Sequence, residues 1–256
     1  MNSEIRQELY KLNHRRLPWL VIIPLVILMI IIGLAMGRTY SNLLVTTCYD
    51  SSTIIWLLLV IVGSTIFSME FQNGTIIPLM YHSSSRSAVF FAKVLVLLLY
   101  NVFLHMIAMV ITILLNIFPL INDPISWTAI YQYHQPLWLN MLATAGVDLI
   151  TSSMIISLIC LTSCLINSNM TVIALNALII FMGSGLSSNL QLAYVGSRNL
   201  IRWNPFNMLN LTNQYYNYAA YHPASLLSNG QLLLGTVMYT VIFVLLGYGC
   251  FQHKHF

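Results

Sequence analysis

Long apolar segments, separated by short polar ones, make up most of the chain. A helix needs about 20 apolar residues to cross the hydrocarbon core of a bilayer, and six segments approach or exceed that length. The expected spans are residues 18–36, 51–69, 88–115, 137–166, 170–190 and 231–251. The pattern therefore predicts an all-α polytopic membrane protein with a single transmembrane domain over residues 1–256.

The composition agrees with this fold class, because 58% of the 256 residues are hydrophobic and only 6% are charged. Soluble domains carry about 25% charged residues, so lipid must surround most of this chain. Nucleic-acid binding needs a basic patch or stripe. The ten Lys and Arg residues are spread over the six expected spans and form no such patch. We therefore expect membrane lipid, and no nucleic acid, among the partners.

The segment before the first span, residues 2–16, has the pattern of an amphipathic helix. Ile5, Leu9 and Leu12 fall at positions i, i+4 and i+7 and form one apolar stripe. The rest of the segment is polar and becomes basic towards its end. We predict an interfacial helix on the inner leaflet, with its last arginines near lipid phosphates. A disordered basic tail is the alternative.

Basic residues near the span ends predict the orientation of the chain, because they favour the cytoplasmic side. With the amino terminus inside, seven basic residues lie on the inner side: Arg6, Lys11, Arg15, Arg16, Arg86, Lys93 and Lys254. Three lie on the outer side: Arg38, Arg198 and Arg202. Both termini are therefore expected in the cytoplasm.

Residues 191–230, which lie outside the cell in this orientation, are rich in aromatic side chains. The aromatic residues are Tyr194, Trp203, Phe206, Tyr215, Tyr216, Tyr218 and Tyr221. Side chains of this kind favour the headgroup level of a bilayer. We predict one or two short helices that rest on, or dip into, the outer leaflet before the last span.

Polar residues inside the expected spans are candidates for a substrate path or for contacts between spans. Asn101, Asn176 and Asp148 belong to this group, and polar side chains in spans usually hydrogen-bond between helices. The depth of Asp148 depends on where span 4 begins. A start near Leu137 places it about halfway into the membrane, and a start near Gly146 places it at the outer edge. The edge position is favoured, because the stretch from Gly146 onward is already long enough to cross.

The chain lacks the motifs of common catalytic and nucleotide-binding sites. The Gly-x-x-x-x-Gly-Lys-Ser/Thr phosphate loop is absent, and so is the zinc motif His-Glu-x-x-His. Its seven histidines are scattered. We therefore expect no catalytic residue and no metal site in this chain. An intramembrane enzyme, and a membrane sensor or accessory protein without transport, remain the alternatives to a transport function.

Residues 69–93 contain the longest polar interruption in the first half of the chain. The apolar side chains in this stretch can form one face: Phe71, Ile76, Ile77, Leu79 and Met80. The polar side chains can form the other face: Glu70, Gln72, Asn73 and Arg86. This composition predicts a short helix over residues 69–82 that lies along the membrane surface between spans 2 and 3.

The same stretch resembles the permease subunits of type-2 ABC exporters. Those proteins carry a Glu, then Gly-Thr after three residues, then a Leu-like pair, Ser-Arg and a later Lys. The matching residues here are Glu70, Gly74-Thr75, Leu79-Met80, Ser85-Arg86 and Lys93. Gln72 stands where the family often has a second acid, and Ser83 where it often has Pro. Asn204-Pro205-Phe206 gives a second, weaker match before the last span.

The resemblance implies that residues 69–82 are a coupling helix docked on a separate ATPase subunit. The coupling residues would be Glu70, Phe71, Gly74, Thr75, Arg86 and Lys93. It also implies a bacterial cell-membrane complex of two ATPase copies with a second permease copy or a related permease. ATP and Mg²⁺ would bind the ATPase, with no cofactor in this chain. The length and composition look like those of Gram-positive peptide exporters, such as bacteriocin-immunity systems and exporters of phenol-soluble modulins.

The expected coupling residues have different physical roles. Glu70 and Arg86 would lie at the inner interface and fix the coupling helix to span ends or to the partner. Gly74 would allow a tight bend or a close approach, and a serine among residues 83–85 would cap span 3. Lys93 would extend towards the headgroups. Alternatively, Arg86 and Lys93 simply mark the cytoplasmic side.

Overall fold

The computed structural model describes residues 2–36, 40–72, 74, 85–117 and 125–254. Six helices in this part of the chain are long and apolar enough to cross a membrane, which confirms the all-α polytopic fold. Spans 1 to 6 are Leu17–Met36, Ser51–Gln72, Arg86–Ile117, Leu137–Leu165, Asn169–Ala193 and Asn229–His253. A helix can lie in lipid because almost all of its backbone polar groups are hydrogen-bonded within the segment.

Serine side chains cap the first turns of several spans. Ser85 Oγ accepts the amide hydrogen of Ala88 at 3.1 Å, so the serine expected to cap span 3 is Ser85. Ser228 and Gln231 form a capping box at the start of span 6, in which each side chain bonds the backbone amide of the other residue. These caps satisfy amide groups that the first helical turn leaves without partners.

Span 1 consists of two helices, Leu17–Leu20 and Ile22–Met36, which meet at Val21. Pro24 explains the interruption. Its ring lacks an amide hydrogen and collides with the carbonyl group four residues earlier, which belongs to Leu20.

A short helix that the apolar pattern does not predict, Ser41–Thr46, precedes span 2. The chain then turns into span 2 through Cys48, Tyr49 and Asp50, whose φ angles are 49°, 56° and 53°. Non-glycine residues are uncommon in this left-handed region. The turn therefore depends on its packing, since Cys48 and Tyr49 are buried.

Spans 2 and 4 form the centre of the bundle, and spans 1, 5 and 6 lie at its periphery. Most side chains of the central spans are buried, whereas those of the peripheral spans are largely exposed. Gly63 lets the central spans approach closely, because a Cβ atom there would lie 3.2 Å from Ile159 Cγ2. The exposed apolar faces of the peripheral spans suit lipid as the surrounding solvent.

The amino-terminal helix, Asn2–His14, packs against span 3. Its most buried side chains are acidic, because Glu4 is 6% exposed and Glu8 is 4% exposed. Leu9, from the expected apolar stripe, is 37% exposed. An amphipathic helix is therefore present, but it turns acidic groups towards the bundle and leaves part of its apolar stripe open.

The amino-terminal helix and the last described residues after span 6 lie at the same end of the bundle. Arg86, the first residue of span 3, donates a hydrogen bond of 2.8 Å to the carbonyl oxygen of Gln252 near the end of span 6. Lys254 follows span 6 and donates to the carbonyl oxygen of Cys164 at the end of span 4, at 2.8 Å. The amino-terminal helix reaches the same end of span 3 through Glu8.

Four short α-helices occupy the connection between spans 5 and 6, where one or two were expected. They are Arg198–Ile201, Pro205–Met208, Asn210–Tyr216 and Tyr218–Ser225, and we call them the connecting helices. Leu209 packs over Gly183 of span 5, and Met208 over Gly235 of span 6. Thr212 is fully buried. The two middle connecting helices, Pro205–Met208 and Asn210–Tyr216, are therefore packed among the spans, whereas the first has no buried residue and the last only Ser225.

Candidate functional site

Two lysines and two glutamates from three helices form a closed ring of ion pairs, which we call the Glu70 cluster. Lys93 Nζ lies 2.6 Å from Glu70 Oε2 and 3.0 Å from Glu8 Oε2. Lys11 Nζ lies 2.8 Å from Glu8 Oε1 and 3.0 Å from Glu70 Oε1. Each carboxylate therefore bridges both ammonium groups.

The Glu70 cluster is almost completely withdrawn from solvent at its centre. The side chain of Lys93 is 0% exposed, that of Glu8 is 5% exposed and that of Glu70 is 6% exposed. Burying an isolated charge costs several kcal/mol, and the attraction of a well-placed opposite charge offsets about that amount. The cluster contains two positive and two negative side chains, so each charge has such partners. The expectation that Lys93 extends to the headgroups is wrong, because the two carboxylates hold its ammonium group inside the bundle.

Lys11 is the partly exposed member of the cluster. Burial disfavours its charged form, but the hydrogen bond to Glu8 and the charge of Glu70 outweigh this effect and raise the pKa of Lys11 above its ordinary value. The amino-terminal helix is therefore attached to the bundle by a side chain that stays protonated at neutral pH.

The Glu70 cluster joins the elements on both sides of residues 73–84. Glu70 lies two residues before the end of the span 2 helix, and Lys93 lies two turns into span 3. Glu8 adds the amino-terminal helix. A displacement of the chain between spans 2 and 3 would therefore reach three helices through fixed ionic contacts.

Two further expected coupling residues, Phe71 and Arg86, face the end of span 6. The ring of Phe71 packs edge-on against that of Phe251, with 6.0 Å between the ring centroids. Lys254 Nζ lies 4.0 Å from the Phe71 centroid, within the range of a cation–π contact. Arg86 bonds the Gln252 carbonyl oxygen. The sequence did not indicate these contacts with span 6.

The chain leaves span 2 in a tight bend. Gly74 has a φ of +66°, in the left-handed region that glycine adopts most readily, as the expected bend requires. The span 2 helix continues through Gln72, three residues beyond its expected end at Met69, so residues 69–72 of the expected coupling helix are continuous with span 2. Residues 73 and 75–82 of that expected helix, Thr75 among them, lie outside the described residues.

A second polar cluster, which we call the Asp148 network, joins spans 2, 3 and 4 to the connecting helices. Asp148 Oδ2 lies 2.7 Å from His105 Nε2 of span 3. Asp148 Oδ1 accepts hydrogen bonds from Trp56 Nε1 of span 2 at 3.1 Å and from Thr212 Oγ1 of the connecting helices at 3.0 Å. All four side chains are buried.

The hydrogen bonds of His105 restrict where its protons are. Nδ1 lies 2.9 Å from the carbonyl oxygen of Asn101, which can only accept, so Nδ1 carries a hydrogen. The pair then consists of an imidazolium with a carboxylate, or of a neutral imidazole with a carboxylic acid. Either form has no net charge, which limits the cost of burying it in an apolar bundle.

Asp148 lies deeper in its helix than the favoured interpretation supposed. Span 4 begins at Leu137, which puts Asp148 eleven residues from the start of the helix. The start near Gly146, on which the edge position depended, is therefore wrong. Asp148 is 1% exposed, and its side-chain hydrogen bonds connect different elements of this chain.

The other two polar candidates also lie between spans. Asn101 Nδ2 of span 3 donates to Ser152 Oγ of span 4 at 2.7 Å. Asn176 Nδ2 of span 5 donates to Thr162 Oγ1 of span 4 at 2.8 Å. Span 4 is therefore hydrogen-bonded to both neighbours. Within the described residues, no group of three or more His, Cys, Asp or Glu side chains is placed to hold a metal ion.

Sequence reasoning missed Glu8, His105 and Thr212 as members of these clusters. His105 had a usable signal, because an ionisable residue inside a span is rare and is usually functional. Glu8 had none, since an acid on an amphipathic surface helix is ordinary. Thr212 could not be found without knowing that the connecting helices enter the bundle.

The six apolar spans, held together by buried ion pairs and hydrogen bonds, define a polytopic membrane protein of the α-helical class. Residues 4–183 match the family model described as ABC-2 family transporter protein. The match covers more than half of the chain and includes the whole Glu70 cluster, so the chain belongs to this family. A search among curated proteins found no match.

Membership of this family identifies the chain as one subunit of a larger complex. It is the membrane component of an ABC transporter, and the family implies an ABC ATPase as its partner. The motif around Glu70 pointed to the same family from the sequence alone.

Proposed function

We propose that the chain is the permease subunit of an ATP-driven exporter, which moves an amphipathic or hydrophobic substrate out of the cell or the membrane. Family membership supports the permease role. Peptides, such as cytolytic or antimicrobial peptides, are the substrate class that the resemblance to Gram-positive peptide exporters favours. Export of such peptides would give the cell resistance to them. The 6% content of charged residues suits a path for weakly charged cargo.

The observation that carries the coupling step is the position of the Glu70 cluster on both sides of residues 73–84. In the proposed orientation, this end of the bundle faces the cytoplasm and the ATPase docks on that segment. ATP closes the ATPase pair, which pushes the segment. The cluster passes the movement to spans 2 and 3 and to the amino-terminal helix, while Phe71 and Arg86 pass it to span 6. The spans then tilt and open an outward or lateral path.

The proposed complex contains two ATPase copies and a second permease, identical or related. ATP and Mg²⁺ bind the ATPase subunits, so this chain supplies no group to the hydrolysis of ATP. Its part is to convert movement at one end of the bundle into access for a substrate.

Purification of the tagged full chain from its own membranes tests the partner. An ATPase with a phosphate-binding loop should co-purify, and ATP hydrolysis should depend on it. Gly74→Val tests the coupling segment, because valine disfavours the φ of +66° found there. We expect this variant to insert normally but to retain less ATPase. Gly146→Val, at an open site without a positive φ, is the control and should behave as wild type.

The substrate assignment needs a separate measurement. Cells that contain the partner ATPase are compared with and without this chain for secretion of, and resistance to, a panel of amphipathic peptides. A hydrophobic drug and a lipid-linked polymer serve as competing cargoes. Peptide secretion that requires the chain supports the proposal. If cells without the chain fail to export one of the competing cargoes but secrete the peptides normally, that cargo would replace peptides as the substrate. The permease role would remain.

A further inference from the structure

A cleft of about 450 Å³ opens between the amino-terminal helix, the start of span 1 and the middle of span 3. This volume is within the roughly 300–1,000 Å³ range of small-molecule sites. The lining is mostly apolar and aromatic, and includes Asn13, Pro18, Trp19, Leu99, Tyr100 and Phe103. The part of span 3 that lines it, from Val96 to Phe103, is about 10 Å long at 1.5 Å per residue.

Hydrogen bonds across the cleft fix its aromatic walls. Trp19 Nε1 donates to the carbonyl oxygen of Asn13 at 3.0 Å, and Tyr100 Oη donates to that of Pro18 at 2.7 Å. Trp19 also packs edge-on against Phe103, with 5.9 Å between ring centroids. The polar atoms of these rings are therefore occupied, and their apolar surfaces face the cleft. A site with walls fixed in this way needs little rearrangement to bind a ligand.

A basic turn joins two of the three elements that line the cleft, the amino-terminal helix and the start of span 1. Arg15 and Arg16 separate the amino-terminal helix from span 1. Arg15 Nη1 is directed to the carbonyl oxygen of Thr65 in span 2, at 3.4 Å. Arg16 is exposed, and its side chain makes no hydrogen bond or ion pair with any other described residue. The cation of Arg16 therefore belongs to the short turn between Asn13 and Pro18, two residues that line the cleft.

We infer that this cleft binds one anionic phospholipid, with an acyl chain along Trp19, Leu99 and Phe103 and the phosphate near Arg16. A phospholipid combines an apolar chain with an anionic headgroup, which matches the two parts of the site. The cleft also lies beside an interfacial helix, where lipid headgroups are found. The inference is independent of the proposed export function, and requires only that the amino-terminal helix lies at a leaflet containing anionic lipid.

The test uses the full chain in vesicles that contain phosphatidylglycerol and phosphatidylcholine, with one or the other brominated on its acyl chain. Bromine quenches tryptophan fluorescence on contact, and the difference between wild type and Trp19→Phe isolates the signal of Trp19. We expect phosphatidylglycerol to quench Trp19 about five-fold more effectively than phosphatidylcholine, the factor that one basic residue supplies near an anionic headgroup.

Two pairs of variants separate a site from ordinary lipid contact. Arg16→Gln should abolish the preference for phosphatidylglycerol, whereas Arg198→Gln, which removes the same charge at the other end of the bundle, should keep it. Leu99→Phe should reduce quenching by filling the cleft. Leu95→Phe, one turn away on the same helix and outside the cleft, should not.

Equal quenching by the two lipids, or an unchanged preference in Arg16→Gln, would overturn the inference. So would equal effects of the two leucine substitutions. Because both leaflets of these vesicles have the same composition and no ATPase is present, such a failure would not bear on the orientation of the chain or on export.

Discussion

Lys93 and Glu70 can be accommodated in an apolar bundle because each contacts two side chains of opposite charge. The attraction that holds Lys93 comes from separate elements, one carboxylate at the end of span 2 and one in the amino-terminal helix. Removing one partner from such a group leaves another charge buried without compensation, and that cost exceeds the net stability that the intact group contributes. The residues of the cluster are therefore unequal, and their burial predicts which of them matter most.

Lys93→Met leaves the carboxylates of Glu8 and Glu70 facing each other without the central ammonium group. Breaking a buried ion pair in this way costs about 3–5 kcal/mol, so thermal unfolding of the purified chain should begin at a much lower temperature. Lys11→Met removes the same charge where the side chain is 34% exposed, and water replaces part of the interaction. Its cost should stay below about 1 kcal/mol. Equal losses in the two variants would contradict the central position of Lys93.

Two substitutions of Asp148 test whether its hydrogen bonds or its shape stabilise the bundle. Asp148→Asn keeps an oxygen for Trp56 and Thr212, and its amide can donate to Nε2 of a neutral His105, so stability should fall only slightly. Asp148→Leu removes every acceptor, and each donor left unsatisfied costs about 1–3 kcal/mol. Denaturation of both variants in the same detergent measures the difference. A loss as large for Asn as for Leu would show that the negative charge itself is required.

The sequence allowed some of these residues to be identified, but not their partners. The motif placed Glu70 and Lys93 in one functional stretch, and the structure puts Lys93 Nζ 2.6 Å from Glu70 Oε2. Glu8 lies 85 residues from Lys93 in the sequence. The helical periodicity of its segment identified an apolar stripe but gave no sign that Glu8 would be buried. Lys93 was expected near the headgroups because the pairing that buries it is long-range. Local spacing cannot reveal such contacts, since they depend on how the helices pack.

At the scale of elements, length and apolar content were sufficient to find the spans, because a membrane accepts only segments that satisfy their own backbone. The short helices were harder. The chain after Ser41–Thr46 passes through three left-handed residues, Cys48 to Asp50, and Leu226, which follows the last connecting helix, has a φ of 56°. Such conformations are stabilised by packing against spans distant in sequence, so neither the number of short helices nor their embedding followed from local pattern.

The contact between the connecting helices and span 5 should be sensitive to a single substitution. A Cβ atom at Gly183 would lie 2.8 Å from Leu209 Cδ1, so Gly183→Val overpacks this contact, at a cost of about 1–3 kcal/mol. Gly185→Val, on the same span, adds its side chain where no described atom lies within 4 Å of the new Cβ, and should unfold like wild type. Thermal unfolding of both variants measures the contrast.

A compensating change tests the same contact from the other side. Leu209→Ala should destabilise the wild-type chain, because it leaves a cavity over Gly183. In the Gly183→Val background it makes room for the new side chain and should restore part of the lost stability. Strictly additive losses in the double variant would mean that these two positions do not share one contact.

On the scale of the whole molecule, the two polar clusters lie at different depths and connect different parts. The Glu70 cluster gathers the amino-terminal helix and spans 2 and 3 at the end that also holds the carboxyl terminus. The Asp148 network connects the same two spans, together with span 4, to the connecting helices towards the other end. Spans 2 and 3 thus contribute to both clusters. A tilt of either span would therefore change the geometry of the Glu70 cluster and of the Asp148 network together.

The direction in which this bundle crosses the membrane decides whether an ATPase can reach the Glu70 end. Cys48, Cys160 and Cys164 are buried and Cys250 is half-buried, so a background with Cys250→Ala leaves the native thiols shielded. Single cysteines are then introduced at exposed positions, Gln72 and His253 at the Glu70 end and Ser126 and Asn199 at the other.

In intact cells, an impermeant maleimide should label Ser126→Cys and Asn199→Cys at once. It should label Gln72→Cys and His253→Cys only after the membrane is opened, because the proposed orientation, which the excess of basic residues favours, puts the Glu70 end in the cytoplasm. A permeant maleimide gives the total of reactive thiols for each variant and corrects for differences in exposure. The reverse pattern would separate the Glu70 cluster from any cytoplasmic ATPase, and the proposed coupling mechanism would then fail, whatever the substrate.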